Sequence, residues 1–204
     1  MKEAAVYVQS CDLNIDETPW QERGKRRTLW TLVTTQLSVF AITTGRGVAV
    51  LQQLVGGWYS GILTSDQAKV YDRYALRKRQ VCLAHLLRDF QAMIDRGGPG
   101  QAVGEILLEH TSVLFAWWHW VRDGTWQRST FHSYVRTLRA SFKLELQAGS
   151  QSACPKTAAT CKRLSEKVKP WLVASTSGES WRCKSSLHCS RVAPRSLCLS
   201  ADTD

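Results

Sequence analysis

Two aspartates stand in short signatures that could do chemistry together. Asp16 opens Asp16-Glu17-Thr18-Pro19-Trp20 at the end of the extended stretch Leu13-Asn14-Ile15. Asp66 closes a second apolar stretch, Gly61-Ile62-Leu63-Thr64-Ser65-Asp66, and is followed by Tyr71. Side chains alternate along a strand, so Asn14 and Asp16 face one way, Leu13 and Ile15 the other; Ile62, Thr64 and Asp66 likewise share a face. If both strands lie in one sheet, the two carboxylates can stand close together. Carboxylates that close repel, and one holds its proton unless a cation neutralises them. Mg²⁺ or Mn²⁺ would do so through hard oxygen ligands, keeping positions for water and phosphate oxygens. Two such ions, about 3.5–4 Å apart, activate an attacking water or 3′-hydroxyl and stabilise the leaving oxygen. An aspartate at a strand end is most often a turn or cap residue, so neither one carries this reading alone.

A third block, Arg79-Gln80-Val81-Cys82-Leu83-Ala84-His85-Leu86-Leu87-Arg88-Asp89-Phe90, follows shortly after. Cys82 and His85 are metal-ligand types at a zinc-like spacing, but a structural zinc takes four ligands and no second pair stands at a matching interval. Cys183 and His188 qualify by residue type only, because their spacing fits no common zinc pattern. A buried thiol beside a histidine near a helix start is the preferred reading of the pair.

The elements that must position these residues fall into three regions. Residues 1–82 carry strand signals. Thr28-Leu29-Trp30-Thr31-Leu32-Val33-Thr34 and Ser38-Val39-Phe40-Ala41-Ile42 are rich in β-branched and aromatic residues, and their short connection suits a hairpin. Gly24-Lys25 reads as the turn after the Asp16 strand. Val48, Leu51, Leu54 and Val55 share one face of a helix that Gly56-Gly57 closes. Strands, a helix and a further strand make a mixed α/β order.

Residues 83–174 are helical in texture. One helix spans Ala84 to Ile94 and stops at Gly97-Gly98-Pro99; a second spans Ala102 to Val121 and ends at Asp123-Gly124. A third runs from Ser129 to Leu146, and a fourth from Lys156 to Ala174, interrupted or ended early by Pro170. Trp117, Trp118 and Trp120 invite a base-stacking reading. Their spacing with Leu114, Phe115 and Val121 favours core and inter-helix packing. Arg136, Arg139, Lys143, Lys162 and Arg163 could meet phosphates, but scattered as they are they read as a solvated face. Residues 175–204 form an irregular Ser/Cys-rich tail containing Cys183, Cys189 and Cys198, with no sustained period.

The chain of 204 residues is 44% hydrophobic, enough for a packed core, and its formal charge of +10 favours an acidic partner such as DNA. The N-terminus lacks the apolar run of a signal peptide. The densest apolar run, Val113 to Val121, is far short of the roughly 20 residues that span a bilayer. These features place the chain in the cytoplasm, away from membranes, with its seven cysteines as reduced thiols.

In order and spacing the three blocks resemble the central region of insertion-sequence-66 transposases, from about Asp12 to about Trp171. Further likeness lies in Gly24-Lys25-Arg26-Arg27-Thr28-Leu29-Trp30 and in Lys156-Thr157-Ala158-Ala159-Thr160-Cys161. The resemblance implies a ribonuclease H-like mixed sheet with a mainly α-helical insertion. It also implies metal-dependent DNA strand cleavage and transfer at an Asp-Asp-Glu site using Mg²⁺ or Mn²⁺. Asp16 and Asp66 then correspond to the first two catalytic, metal-binding acids, while His85 and Arg88 lie near the site or the DNA backbone.

Two departures stand out. Pro19 occupies the position where the family usually has glycine, and proline fixes φ and removes a donor beside Asp16. The family's Asn-Asn-x-x-Glu-Arg block, which supplies the third acid, has no counterpart. Around the expected place the chain reads Gly178-Glu179-Ser180-Trp181-Arg182-Cys183-Lys184, so the role does not pass to Glu179. The sequence therefore reads as the middle of such a transposase, with a tail that could be frameshifted and a core inactive as it stands. The alternatives are a non-catalytic DNA-binding or regulatory fragment that pairs with itself or an intact transposase, and a nuclease that recruits Glu179.

Overall fold

The computed structural model describes Val8 and residues 11–56, 59–75 and 78–166. The chain divides into two compact units, one up to Cys82 and one whose described part runs from Leu83 to Glu166. The first is a mixed α/β unit and the second is helical.

In the first unit β1 (Leu13–Glu22) and β2 (Lys25–Val33) form a hairpin. Its two-residue turn has φ of 49° at Arg23 and 76° at Gly24. Positive φ at both positions gives the turn a twist that matches the flanking strands. β3 (Ser38–Thr43) returns along β2. The connection is tied by Thr34, whose Oγ1 accepts from the Leu37 amide at 2.9 Å.

After α1 (Val48–Val55), which ends at Gly56 with φ 88°, the short strands β4 (Leu63–Ser65) and β5 (Arg79–Val81) complete the sheet. A 3₁₀ turn, Lys69–Arg73, lies between them. The order is β3-β2-β1-β4-β5, with β1 antiparallel to β2 and parallel to β4, and β4 parallel to β5. β5 was not legible in advance, because Arg79-Gln80-Val81 offers neither alternation nor an apolar run.

One face of this sheet makes the core. Leu13 and Ile15 of β1, Trp30 and Leu32 of β2 and Leu63 of β4 pack with Leu51 and Val55 of α1 and with Tyr71. Each such side chain, fully buried, contributes about 1.5–3 kcal/mol. The expected apolar face of α1 holds for Leu51 and Val55, but Val48 in the first turn is 43% exposed. Pro19 sits within β1, paired with Thr28. β1 meets β4 only at Leu13 and Asn14, so Pro19 has a ladder on one side alone and its missing N–H costs no bond on the other.

The second unit is a series of helices packed in chain order: α2 (Leu83–Asp95), α3 (Gln101–Arg122), α4 (Arg128–Gly149) and α5 (Pro155–Glu166). Gly97 and Gly98, at φ of 64° and 62°, make the break after α2. A Cβ at Gly104 would lie 2.8 Å from the Phe90 carbonyl oxygen, so glycine sets how closely α3 approaches α2. Trp118 is buried, its ring centroid 5.7 Å from that of Phe131 on α4, as core packing requires. Trp120 departs from the packing expectation: it is 40% exposed in the last turn of α3, its ring centroid 4.8 Å from that of the half-buried Trp126.

Arg163 of α5 pairs with Asp89 of α2 at 3.2 Å and Arg139 is partly buried, so these two are not simply a solvated face. The expected extension of the last helix to Ala174, Pro170 and the tail from Ser175 lie outside the described residues. No described helix is long and apolar enough to cross a membrane.

Candidate active site

The parallel ladder between β1 and β4 pairs Leu13 with Leu63 and Asn14 with Thr64. Carried onward, the same register sets Ile15 beside Ser65 and Asp16 beside Asp66. Paired residues in a ladder share a face. Asp16 lies within β1 and Asp66 directly follows β4, so continuing this register brings the two aspartates toward one side of the sheet.

Asp16 is exposed and Asp66 half-buried. Asp66 Oδ1 accepts from the Ala68 amide at 2.8 Å, an aspartate turn that fixes its rotamer, and the Ser65 hydroxyl donates to the Asp66 carbonyl at 2.9 Å. Asp16 Oδ1 accepts from the Glu17 amide at 3.0 Å. The turn-cap role anticipated for such residues is thus present at Asp66, and it occupies one carboxylate oxygen.

Glu17, the next residue, points to the opposite side of β1, where Ile15 enters the core. It is half-buried, and its Oε2 accepts from the Tyr71 hydroxyl. Burial raises the Glu17 pKa above the ordinary glutamate range. The Tyr71 hydrogen bond opposes that shift, the negative charges of Asp66 and Asp16 add to it, and Arg46 works against it. Tyr71 is fully buried, and burial together with Glu17 and the two aspartates pushes its own pKa upward, so it stays a donor. The 3₁₀ turn carrying Tyr71 is fastened to β5 by Asp72, whose Oδ1 lies 2.7 Å from the buried guanidinium of Arg79.

Three acids are thus electrostatically coupled, two on one face and one on the other. Glu17 also lines a cleft of about 350 Å³ together with Arg26, Arg27 and Arg46.

The profile of the transposase IS66 family matches residues 3–174. The chain belongs to that family. No curated protein and no solved structure matches it.

Within this IS66-family chain, His85 and Arg88 lie in the first turns of α2, in the helical unit. His85 is half-buried and Arg88 exposed, its Nε donating to the Ala84 carbonyl at 3.4 Å. Among the described residues no group of three or more His, Cys, Asp or Glu side chains is placed to hold a metal ion. That includes Cys82 and His85. Glu179, like Cys183 and His188, lies outside the described residues.

Sequence reasoning did not single out Glu17, Tyr71, Arg26 or Arg46. Glu17 was legible only as part of the Asp16 signature, since its inward direction follows from strand alternation. Tyr71 was noted as a neighbour of Asp66, but a hydrogen bond reaching back to β1 has no local trace in sequence.

Proposed function

We propose that this chain is the DNA-acting core of an IS66-family transposase, built on a ribonuclease H-like sheet, with Asp16 and Asp66 as its first two acids. The observation that carries this reading is the β1–β4 register, Leu13 beside Leu63 and Asn14 beside Thr64, which supports Asp16 and Asp66 on one face of the sheet. The strand order β3-β2-β1-β4-β5, with an antiparallel meander followed by parallel strands, supports the ribonuclease H-like assignment.

The donor set fits a hard divalent cation. Mg²⁺ is commonly bound by one or two carboxylates, its other positions filled by water and substrate phosphate; Asp16 would supply an exposed carboxylate and Asp66 a half-buried one whose Oδ1 already accepts from Ala68. When bound, Mg²⁺ or Mn²⁺ would polarise a phosphodiester and lower the pKa of an attacking water or hydroxyl. The chain's own contribution is positional. The Ala68 amide holds Asp66 in one rotamer, and β1 holds Asp16 at a fixed depth beside it. Tyr71 keeps Glu17 turned inward, away from the aspartate face.

The third acid of the family pattern is not matched, so a second ion would be held loosely and strand cleavage is not expected of this chain. The clustered arginines, taken with the lack of a matched third acid, favour one second reading. In it the chain is a non-catalytic DNA-binding or regulatory transposase that acts through an intact partner.

Titration calorimetry with Mn²⁺ tests the first reading. Weak binding that Asp16→Asn and Asp66→Asn each reduce supports it. Binding that neither substitution alters moves the ion elsewhere and refutes the assignment.

A further inference from the structure

The cleft beside Glu17 lies between the β1–β2 hairpin and the loop that joins β3 to α1. Its volume is about 350 Å³, and its walls carry three guanidinium groups, Arg26, Arg27 and Arg46, with Thr28 and Thr44 between them. The loop bearing Arg46 is anchored. The indole Nε1 of buried Trp30 donates to Thr43 Oγ1 at 3.0 Å, and that hydroxyl donates to the Gly45 carbonyl at 2.6 Å.

The three cations are not equivalent. Arg27 is already engaged, its Nε 3.0 Å from Glu22 Oε2. Arg26 and Arg46 form no salt bridge among the described residues and are exposed. Like charges gathered in one concavity, three arginines against Glu17 in its lining and Glu22 beside Arg27, create a positive potential that draws anions. Arginine also offers the planar fork that fits phosphate oxygens two at a time.

We propose that this cleft seats the phosphodiester backbone of a DNA strand, with Arg26 and Arg46 as the phosphate ligands and Arg27 held in reserve by Glu22. The path has a direction. Glu17, which lines the cleft, directly follows Asp16 on β1 with its side chain on the opposite face, so the cleft adjoins the acid pair along the strand and not across one face. The identity of the anion as DNA rests on the transposase reading; the site itself rests on the cleft and its cations.

The test is fluorescence anisotropy of the full chain with a labelled DNA duplex of arbitrary sequence, without divalent metal, across a salt series. Each lost phosphate contact should flatten the log K against log salt slope by about 0.9. Arg26→Gln with Arg46→Gln should therefore flatten it by about two, whereas Arg27→Gln should change it little. Glu22→Gln, which frees Arg27, should tighten binding and steepen the slope by about one. Inorganic phosphate at matched ionic strength should not displace the duplex. An unchanged slope in the double variant, or displacement by free phosphate alone, overturns the proposal. Because no metal is present and Asp66→Asn is measured alongside, a failure of the acid-pair reading would not be mistaken for a failure of the cleft.

Discussion

Tyr71→Phe removes one oxygen from the core and nothing else. The ring is fully buried in the same apolar cluster as Leu13, Ile15 and Leu63, a place that phenylalanine also fills. What is lost is the donor to Glu17 Oε2. A hydrogen bond to a charged group contributes about 1.5–3 kcal/mol and a neutral one about 1 kcal/mol. Where Glu17 is ionised the substitution should cost about 2 kcal/mol, a large share of the roughly 5–15 kcal/mol that holds a typical domain together. Where Glu17 is protonated the cost should fall to about 1 kcal/mol. The bond favours the ionised carboxylate, so losing it should raise the already elevated Glu17 pKa further. Urea unfolding of both proteins above and below the Glu17 titration measures the two costs, and carbon NMR of the Glu17 carboxyl follows the pKa. In a double-mutant cycle with Glu17→Gln, Tyr71→Phe should cost only the neutral value, about 1 kcal/mol, at every pH. A cost below about 0.5 kcal/mol on both sides of the titration, the size of an ordinary surface change, would show that the Tyr71–Glu17 contact does not brace β1.

Other outcomes follow from the same geometry. A raised folded-state pKa means that Glu17 favours the fold most when protonated. Its contribution is complete below its unfolded pKa and lost as pH rises through the folded value. Glu17→Gln, which stays neutral and still accepts from Tyr71, should therefore raise Tm above that window and lose the advantage below it; an advantage constant with pH would refute the burial argument. Asp72→Asn should cost about 3 kcal/mol in chemical denaturation, because it strands the guanidinium of Arg79, which is 1% exposed. A cost near zero would mean that Arg79 is solvated after all. In Mg²⁺, nicking of labelled transposon-end DNA by the purified chain should be undetectable. Cleavage abolished by both Asp16→Ala and Glu179→Gln would instead establish Glu179 as the third acid.

Much of the first unit could be read from sequence because its signals are local. Alternation put Asp16 opposite Ile15, β-branched runs marked β2 and β3, and Gly24 and Gly56 closed a turn and a helix where positive φ was required. The neighbouring positions of Asp16 and Asp66 were an inference about sheet order, which no local pattern fixes. β5 escaped notice because a three-residue strand of Arg, Gln and Val acquires its state from β4 beside it rather than from propensity. Trp120 was misjudged for a related reason. Helical spacing assigns it to a packed stripe with Trp117, yet at the end of α3 the neighbouring helix α4 begins only after the turn, and the ring is left at the edge.

Pro19 carries the last lesson about what position does to a residue's meaning. By itself, proline next to a candidate catalytic aspartate argues against a regular strand. Placed where β1 has outrun β4, it leaves the β1–β2 ladder in register on one side, with Thr18 facing Leu29 and Trp20 facing Arg27. On the other side, where a further strand would need an N–H from this position, β1 has no partner. A proline there withholds its own donor from any strand that would add along this edge of β1. Its effect is to keep β1 open beyond the acid pair.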